Sequence, residues 1–224
     1  MIKLRNKLYL ITDERLLLRR DFLKKVAEAA HAGAGLIQLR EKASRIRDRV
    51  ELARKMVKTA HAHGAKVIIN DDPWLAAAIN ADGVHLGRED ADVETARALL
   101  GPEAVIGVSC YGDIERAAEM ERKGASYVSF GACFVSPTKP KEELVPLSVF
   151  RKARSRISIP LVAIGGISAE NAGLVMKSGA DIISVVSSVF SKRKVAGAVA
   201  ELRSIIGEKE KWQRSNASFR KRAR

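Results

Sequence analysis

Short apolar runs alternate with longer amphipathic stretches along the whole chain. Apolar runs of three to five residues are typical of buried strands, and longer stretches with apolar residues at i, i+4 and i+7 are typical of helices. The predicted strands are Leu8–Thr12, Leu36–Leu39, Val67–Asn70, Val84–Leu86, Val105–Ser109, Tyr127–Gly131, Leu161–Ile164 and Ile182–Val186. The predicted helices are Asp21–Ala32, Ser44–His63, a short helix after Pro73, Val93–Leu100, Asp113–Lys123, Leu147–Ser155, Ala169–Ser178 and Val195–Ile206.

Many of the predicted helices end in a glycine just before the next strand. Gly33, Gly64, Gly124 and Gly179 stand where a left-handed residue is wanted after a helix. Eight strand–helix units with such tight turns predict an α/β fold, a single (β/α)8 TIM barrel over residues 1–207. A doubly wound open sheet is the alternative, but the even spacing and short connections favour closure. No internal boundary indicates a second domain.

Composition adds few constraints. The chain has 224 residues, 46% of them hydrophobic, and two separate cysteines, Cys110 and Cys133, which form neither a disulfide framework nor a metal-ligand spacing. The first apolar run, Leu8–Ile11, is too short for a signal segment or a membrane span. We therefore expect a cytoplasmic protein without a membrane partner.

The charge is concentrated at the end of the chain. Of the net +14, residues 208–224 contribute +5, with seven Lys or Arg against two Glu. This segment lacks an apolar period and is predicted to be a flexible basic tail that keeps the protein soluble. A nucleic-acid partner is not predicted, because no nucleic-acid-binding motif accompanies the tail. Homo-oligomerisation is left open.

Polar residues collect where the predicted strands end, which is where barrels of this kind place their active sites. The candidates in chain order are Gln38, Arg40, Lys42, Asn70, Asp71, His85, Asp90, Ser109, Ser136, Thr138, Lys139, Gly165, Gly166, Ser168 and Ser187. The hydroxyls and ammonium of Ser136, Thr138 and Lys139 suit an anion, above all a phosphate. For any one loop, a polar surface turn is the alternative.

Asp71 and Asp90 are candidates for a metal site. Two carboxylates with open coordination positions suit Mg²⁺, which completes its shell with water and phosphate oxygens. The alternative is that Asp72 and Asp90 only start the helices that follow them. Together with Arg40, Lys42 and Lys139, however, the carboxylates favour a metal-bound diphosphate that can depart as a leaving group.

A second candidate site is for a monophosphate. Gly165 and Gly166 let backbone amides approach a ligand, and Ser168 begins a helix whose N-terminus favours anions. Ser187 follows strand eight, and the loops after strands seven and eight form a phosphate site in many barrels.

Acid–base and nucleophilic groups are less evident. His85 alternates with apolar Val84 and Leu86 and is predicted to point into the barrel as a hydrogen-bonded structural residue rather than a base. Cys133 has no histidine placed beside it by spacing, so the sequence does not predict nucleophilic catalysis.

These motifs together resemble the thiamine-phosphate synthase family, over a span from about Leu8 to Ile206. The segments that carry the resemblance are Gln38-Leu39-Arg40-Glu41-Lys42, Ile69-Asn70-Asp71-Asp72, Gly83-Val84-His85-Leu86-Gly87-Arg88-Glu89-Asp90, Ser136-Pro137-Thr138-Lys139 and Ala163-Ile164-Gly165-Gly166-Ile167. The resemblance implies condensation of hydroxymethylpyrimidine diphosphate with thiazole phosphate, with Mg²⁺, to thiamine phosphate and pyrophosphate.

The resemblance also implies roles for individual residues. Gln38 would contact the pyrimidine, and Asp71 and Asp90 would bind Mg²⁺. The diphosphate would be held by Arg40, Lys42, Asn70, Ser109 and Lys139. The thiazole phosphate would be held by Ser136, Thr138, Gly166 and Ser187, and Gly165 and Val186 would also bind substrate. In that family the pyrimidine diphosphate ionises first, and the thiazole nitrogen captures the cation, so Arg40, Lys42 and Lys139 would stabilise the leaving pyrophosphate.

The chain departs from the family pattern in three places. Ser109-Cys110-Tyr111 stands where Ser-x-His is frequent, Gly131-Ala132 replaces a usual Gly-Pro, and Ser136 replaces a common Thr. The related thiazole tautomerase carries a His where this chain has Ala132 and tends to lose the diphosphate and metal residues. A tautomerase-like paralogue is therefore the alternative enzyme, and a basic nucleic-acid-associating barrel is the alternative outside catalysis.

Overall fold

Eight parallel strands close into a barrel in a computed structural model that describes residues 7–136 and 143–207. Each strand pairs with the next along the chain, and the last pairs with the first. The strands are β1 Leu8–Ile11, β2 Leu36–Leu39, β3 Lys66–Asn70, β4 Gly83–Leu86, β5 Val105–Tyr111, β6 Tyr127–Phe130, β7 Leu161–Ile164 and β8 Ile182–Val185. The predicted (β/α)8 barrel is confirmed, and the open-sheet alternative is wrong.

A helix follows every strand. The helices are α1 Phe22–His31, α2 Ile46–His61, α3 Pro73–Ala78, α4 Val93–Leu100, α5 Ile114–Arg122, α6 Ser148–Arg154, α7 Ala169–Ser178 and α8 Ser187–Phe190, and residues 195–207 are also helical. The short helix α8 was not predicted. Its four residues span barely one turn, so they cannot show a helical period.

Aspartates start three of the helices. The side chains of Asp72, Asp92 and Asp113 each accept a hydrogen bond of 2.7 to 2.9 Å from the backbone N–H three residues later. Such bonds satisfy N–H groups that the helix itself leaves without partners. The capping interpretation is therefore correct for Asp72 and wrong for Asp90, since Asp92 caps α4 instead.

The interior of the barrel is filled by side chains that alternate with those packed under the helices. Along β1, Tyr9 and Ile11 point inward, whereas Leu8 and Leu10 belong to the outer core. The inward apolar residues are Tyr9, Ile11, Leu36, Ile68, Val105, Tyr127, Val162 and Ile182. Gln38, Ser129 and Ser184 are buried polar residues on β2, β6 and β8. The barrel is thus a packed core whose polar residues need partners.

Gly107 in β5 makes room for the Tyr127 ring. A Cβ atom at position 107 would lie 2.0 Å from Cζ and 2.2 Å from the hydroxyl oxygen of Tyr127. Real contacts of that length do not occur, so any larger residue would displace the ring. Gly107 therefore determines where the Tyr127 hydroxyl is placed inside the barrel.

Some expectations concern residues that the structure does not describe. The predicted tail, residues 208–224, lies outside the described ranges, so the tail and its boundary stay predictions. Over residues 7–136 and 143–207, no helix is both long enough and apolar enough to cross a membrane. The cytoplasmic location, the homo-oligomer and the nucleic-acid alternative stay untested.

Substituting Gly107→Ala should lower the free energy of unfolding by about 1–3 kcal/mol, the usual cost of overpacking a core. Urea denaturation at neutral pH measures this change. Gly173→Ala in α7 is the matched control, because its Cβ would meet nothing closer than 3.8 Å. A helical Gly→Ala change should be neutral or stabilise by up to about 1 kcal/mol. Equal stability of both variants would contradict the proposed packing role.

Candidate active site

The strand ends meet around two adjoining depressions, which we call the inner cavity and the outer cleft. Gln38, Ser136, Gly165, Gly166, Val186 and Ser187 line the inner cavity. Lys42, Asp71 and Asp90 line the outer cleft. Arg40, Asn70 and Ser109 line both. The structure thus brings together every candidate that it describes except Ser168, which lines neither depression, while Thr138 and Lys139 lie outside the described residues.

Two carboxylates and an ammonium group lie together in the outer cleft. Lys42 Nζ is 3.0 Å from Asp71 Oδ2. Asp90 accepts a hydrogen bond of 2.6 Å from the Gly87 backbone N–H and lies within hydrogen-bonding reach of Asp71. Burial, and then the neighbouring Asp71 carboxylate, raise the pKa of Asp90. Adjacent carboxylates repel each other, so the pair suits an oxygen-seeking divalent cation.

The loop after β7 requires both of its glycines. Gly165 and Gly166 have φ values of 98° and 61°, in the left-handed region. A Cβ at position 166 would lie 2.5 Å from the carbonyl oxygen of Val135 and 2.6 Å from that of Phe134. The loop can therefore lie against the backbone that follows β6 only because it lacks side chains.

Helix N-termini complete this side of the inner cavity. Ser168 caps α7, and the side chain of Asn171 accepts from the Ser168 N–H at 2.9 Å and donates to the Gly166 carbonyl at 3.0 Å. Ser187 is the first residue of α8. Loops after strands seven and eight with the N-terminus of a short extra helix are a recurrent phosphate site in such barrels.

Sequence reasoning missed a charged group in the wall of the inner cavity. Asp13, directly after β1, is only 3% exposed and forms two side-chain hydrogen bonds with Arg15, at 2.7 and 3.0 Å. Arg40 Nη1 lies 3.8 Å from the same carboxylate. Hydrogen bonds from Arg15, and then the charges of Arg15 and Arg40, lower the pKa of Asp13. Asp13 thereby positions two arginines that line the cavity. Its position just after the first predicted strand could have identified it as a site residue.

His85 lines both depressions and is hydrogen bonded on both ring nitrogens, to Tyr127 OH and Ser109 Oγ. Burial lowers its pKa to about 4, although the charge of Asp71 opposes the shift. The ring is therefore neutral at pH 7. It points into the barrel and is hydrogen bonded, as predicted.

The cysteines are poor nucleophiles. Burial raises the pKa of Cys133 to about 11 and that of Cys110 to about 12, so both stay protonated at neutral pH. The chemistry that remains is electrostatic. Cations, paired carboxylates and backbone amides can hold and stabilise anions.

A closed barrel with such a rim belongs to the class of (β/α)8 barrel proteins, many of which carry a phosphate site at the loops after strands seven and eight. Comparison with known proteins gives the family. The sequence profile of thiamine monophosphate synthase matches residues 8–189. The chain belongs to this family and is a transferase, so the resemblance expected from its motifs is confirmed.

Individual relatives agree. Thiamine-phosphate synthase of Nitrosococcus oceani is 44% identical over 196 residues, which cover 88% of this chain and 90% of the relative. That of Methylococcus capsulatus is 44% identical over 200 residues, covering 89% and 88%. The solved structure of thiamine phosphate pyrophosphorylase from Pyrococcus furiosus has a TM-score of 0.80 and 38% identity, covering 91% of this chain and 96% of that one.

Asp13→Asn should destabilise the protein at neutral pH, and the deficit should shrink as the pH falls. Because the folded-state pKa of Asp13 is depressed, its contribution is present above the ordinary value of 3.8 and is lost as the pH falls through the lower folded-state value. Urea unfolding of both proteins between pH 7 and pH 3 measures the difference. Exposed Asp48→Asn is the control. A deficit that is independent of pH would contradict the assigned charge interaction.

Proposed function

We propose that this protein is a thiamine-phosphate synthase, which joins hydroxymethylpyrimidine diphosphate to thiazole phosphate and releases pyrophosphate. The observation that carries the proposal is that two anion sites share one wall. Arg40, Asn70 and Ser109 face both the outer cleft and the inner cavity. Two phosphorylated substrates held on either side of this wall would meet at their reacting ends. The names of the relatives support the same activity.

In the proposed complex, the outer cleft holds the diphosphate and the inner cavity holds the two rings and the single phosphate. Arg40 and Lys42 contribute positive charge on the diphosphate side. Gln38, 1% exposed at the base of the inner cavity, contacts the pyrimidine. Gly166 and Ser187 contribute loop and helix N-termini to the thiazole phosphate.

Asp71 and Asp90 would hold Mg²⁺. The two residues fit this ion because their carboxylate oxygens lie side by side. Among the described residues, Lys42 is the cation that forms an ion pair with Asp71. Bound there, Mg²⁺ would add positive charge against the pyrophosphate oxygens. Within the described ranges, no group of three or more His, Cys, Asp or Glu residues forms a denser metal site.

The reaction needs charge stabilisation rather than a base. The C–O bond to the diphosphate breaks and its electron pair leaves with pyrophosphate, where Arg40 and Lys42 stabilise the growing negative charge. The lone pair of the thiazole nitrogen then forms the C–N bond to the pyrimidine methylene carbon. No proton moves in either step, which agrees with a neutral His85 and two protonated cysteines. Lys139, outside the described residues, stays a predicted contributor.

The tautomerase alternative is not favoured. A proton-transferring group would be expected at position 132, but Ala132 is buried there against Gly165. The Lys42–Asp71–Asp90 group, which suits a metal-bound diphosphate, is present.

The purified protein, given both substrates and Mg²⁺, should form thiamine phosphate and pyrophosphate in equal amounts. Arg40→Ala should lower kcat/KM by roughly a hundredfold or more, as expected for loss of a charge that stabilises the transition state. Chromatography of thiamine phosphate and a coupled pyrophosphate assay measure both products. Isomerised thiazole without pyrophosphate, or no product above the Arg40→Ala background, would contradict the proposal.

Asp71→Asn and Asp90→Asn should each weaken Mg²⁺-dependent binding of pyrophosphate by roughly tenfold or more, because each removes an anionic ligand. Isothermal titration calorimetry with pyrophosphate, at several Mg²⁺ concentrations, measures this without turnover. The matched control is Asp92→Asn, which keeps a good N-cap residue on α4 outside the cleft. Wild-type Mg²⁺ dependence in both cleft variants would remove these carboxylates from the metal role.

A further inference from the structure

Five polar side chains from five strands are joined in a chain across the barrel, which we call the relay. Gln38 Nε2 donates to Tyr9 OH at 2.6 Å, and the hydroxyl oxygens of Tyr9 and Tyr127 are 2.9 Å apart. His85 Nδ1 lies 2.9 Å from Tyr127 OH, and His85 Nε2 lies 2.9 Å from Ser109 Oγ. Gln38 and Ser109, the two ends, line the inner cavity.

The two tyrosines of the relay are closed to water. Tyr9 is 1% exposed and Tyr127 is fully buried. Their rings meet edge to face, and the His85 ring stacks on Tyr127 with centroids 5.6 Å apart. A hydroxyl proton in this interior must therefore be given to another member of the relay, since a buried donor without an acceptor is strongly disfavoured.

Counting protons restricts the relay to two directions. Each hydroxyl carries one proton, and the neutral imidazole carries one N–H. With Gln38 donating to Tyr9, the Tyr9 hydroxyl needs an acceptor for its own proton, and Tyr127 OH, 2.9 Å away, is its only other partner within the described ranges. Tyr127 then donates to His85 Nδ1, and His85 Nε2–H donates to Ser109. The proton of Ser109 is left for a ligand.

The opposite direction is equally complete. Ser109 then donates to His85 Nε2, and His85 Nδ1–H donates to Tyr127. Tyr127 donates to Tyr9, and Tyr9 donates to the carbonyl oxygen of Gln38, whose amide is turned by 180°. A mixture of the two would place either two donors face to face, or two acceptors face to face with no proton between them. The two ends of the relay therefore change together.

We infer that the relay makes Gln38 accept a hydrogen bond when a phosphate is bound at Ser109. This deepens the proposed function and rests on it. Phosphate oxygens only accept at neutral pH, so they require the Ser109 proton to point at the ligand. That direction makes Gln38 donate to Tyr9 and leaves its carbonyl oxygen for an N–H donor, such as the exocyclic amino group of an aminopyrimidine. Tyr9, Tyr127 and His85 are thus positioning residues for substrate selection.

The direction can be read from the tautomer of His85. The chain has four histidines, so ¹⁵N-histidine labelling gives few NMR signals, and His85→Gln identifies the signal of His85 by its loss. In the wild-type protein with Mg²⁺ and pyrophosphate, the proton should reside on Nε2, with Nδ1 unprotonated. A proton on Nδ1 in that complex would overturn the inference.

Calorimetry measures whether binding of pyrophosphate at Ser109 changes the affinity for a pyrimidine fragment at Gln38. 4-Amino-2,5-dimethylpyrimidine, which carries no phosphate, should bind the wild-type protein about three to ten times more tightly when pyrophosphate and Mg²⁺ are present, as one net hydrogen bond would give. Tyr127→Phe interrupts the relay while keeping the ring, so this ratio should fall to about one. Ser178→Ala removes a buried hydroxyl of α7 that lies outside the relay and outside both depressions, and it should keep the wild-type ratio.

Tyr9→Phe interrupts the relay at a different bond and replaces Tyr127→Phe if that variant does not fold. An unchanged ratio in either folded variant, or no coupling in the wild type, would overturn the inference. Thiamine phosphate formation is measured on the same wild-type sample. Absent turnover contradicts the proposed function, whereas turnover with the wrong His85 tautomer contradicts only the relay.

Discussion

The closure of eight parallel strands is the constraint on which the rest of the structure depends. β8 pairs with β1, with Tyr9 opposite Ser184, so every strand has two neighbours and no edge is left open. Because the strands are parallel, all their carboxyl ends lie at one rim. Arg40 and Ser187 are far apart in the chain, yet they line the same cavity for this reason.

The rim holds charged side chains closer together than they would lie in the unfolded chain. Asp71 has a φ of 65°, an uncommon conformation that aspartate tolerates better than most residues, and its carboxylate lies beside that of Asp90. Asp13 forms ion pairs with Arg15 and Arg40 in the wall of the inner cavity. Such an arrangement is held by the surrounding fold, so the charged groups are in place before any ligand binds.

The interior carries polarity as well as apolar packing. Tyr9, Tyr127 and His85 satisfy one another, so the barrel can contain hydroxyl and imidazole groups at little cost. Ser184 Oγ is the exception, because it is buried without a hydrogen-bond partner among the described residues while it lines the inner cavity. The cavity thus continues the polar core of the barrel rather than interrupting it.

Local signals in the sequence predicted much of this. Apolar runs and helical periods are properties of short segments, so the eight strands were located to within a few residues, and Gly33, Gly64, Gly124 and Gly179 all have positive φ as expected after a helix. Asp113 caps α5 as predicted. The residues at the strand ends were found because the carboxyl end of a parallel strand is a known place for a site.

By itself the sequence determined the order of strands and helices, the closed barrel, the family and the set of polar residues at the rim, because each is encoded in periodicity or contiguous motifs. Only the tertiary structure decided that Asp92 rather than Asp90 caps α4, that Asp13 supports Arg40, and that Gln38 is connected to Ser109 through Tyr9, Tyr127 and His85. The Asp92 cap is a local contact, but two aspartates stand close together before α4 and the local pattern does not say which one caps it. The other contacts join residues distant in the chain, and no local pattern records which side chains closure brings within hydrogen-bonding distance.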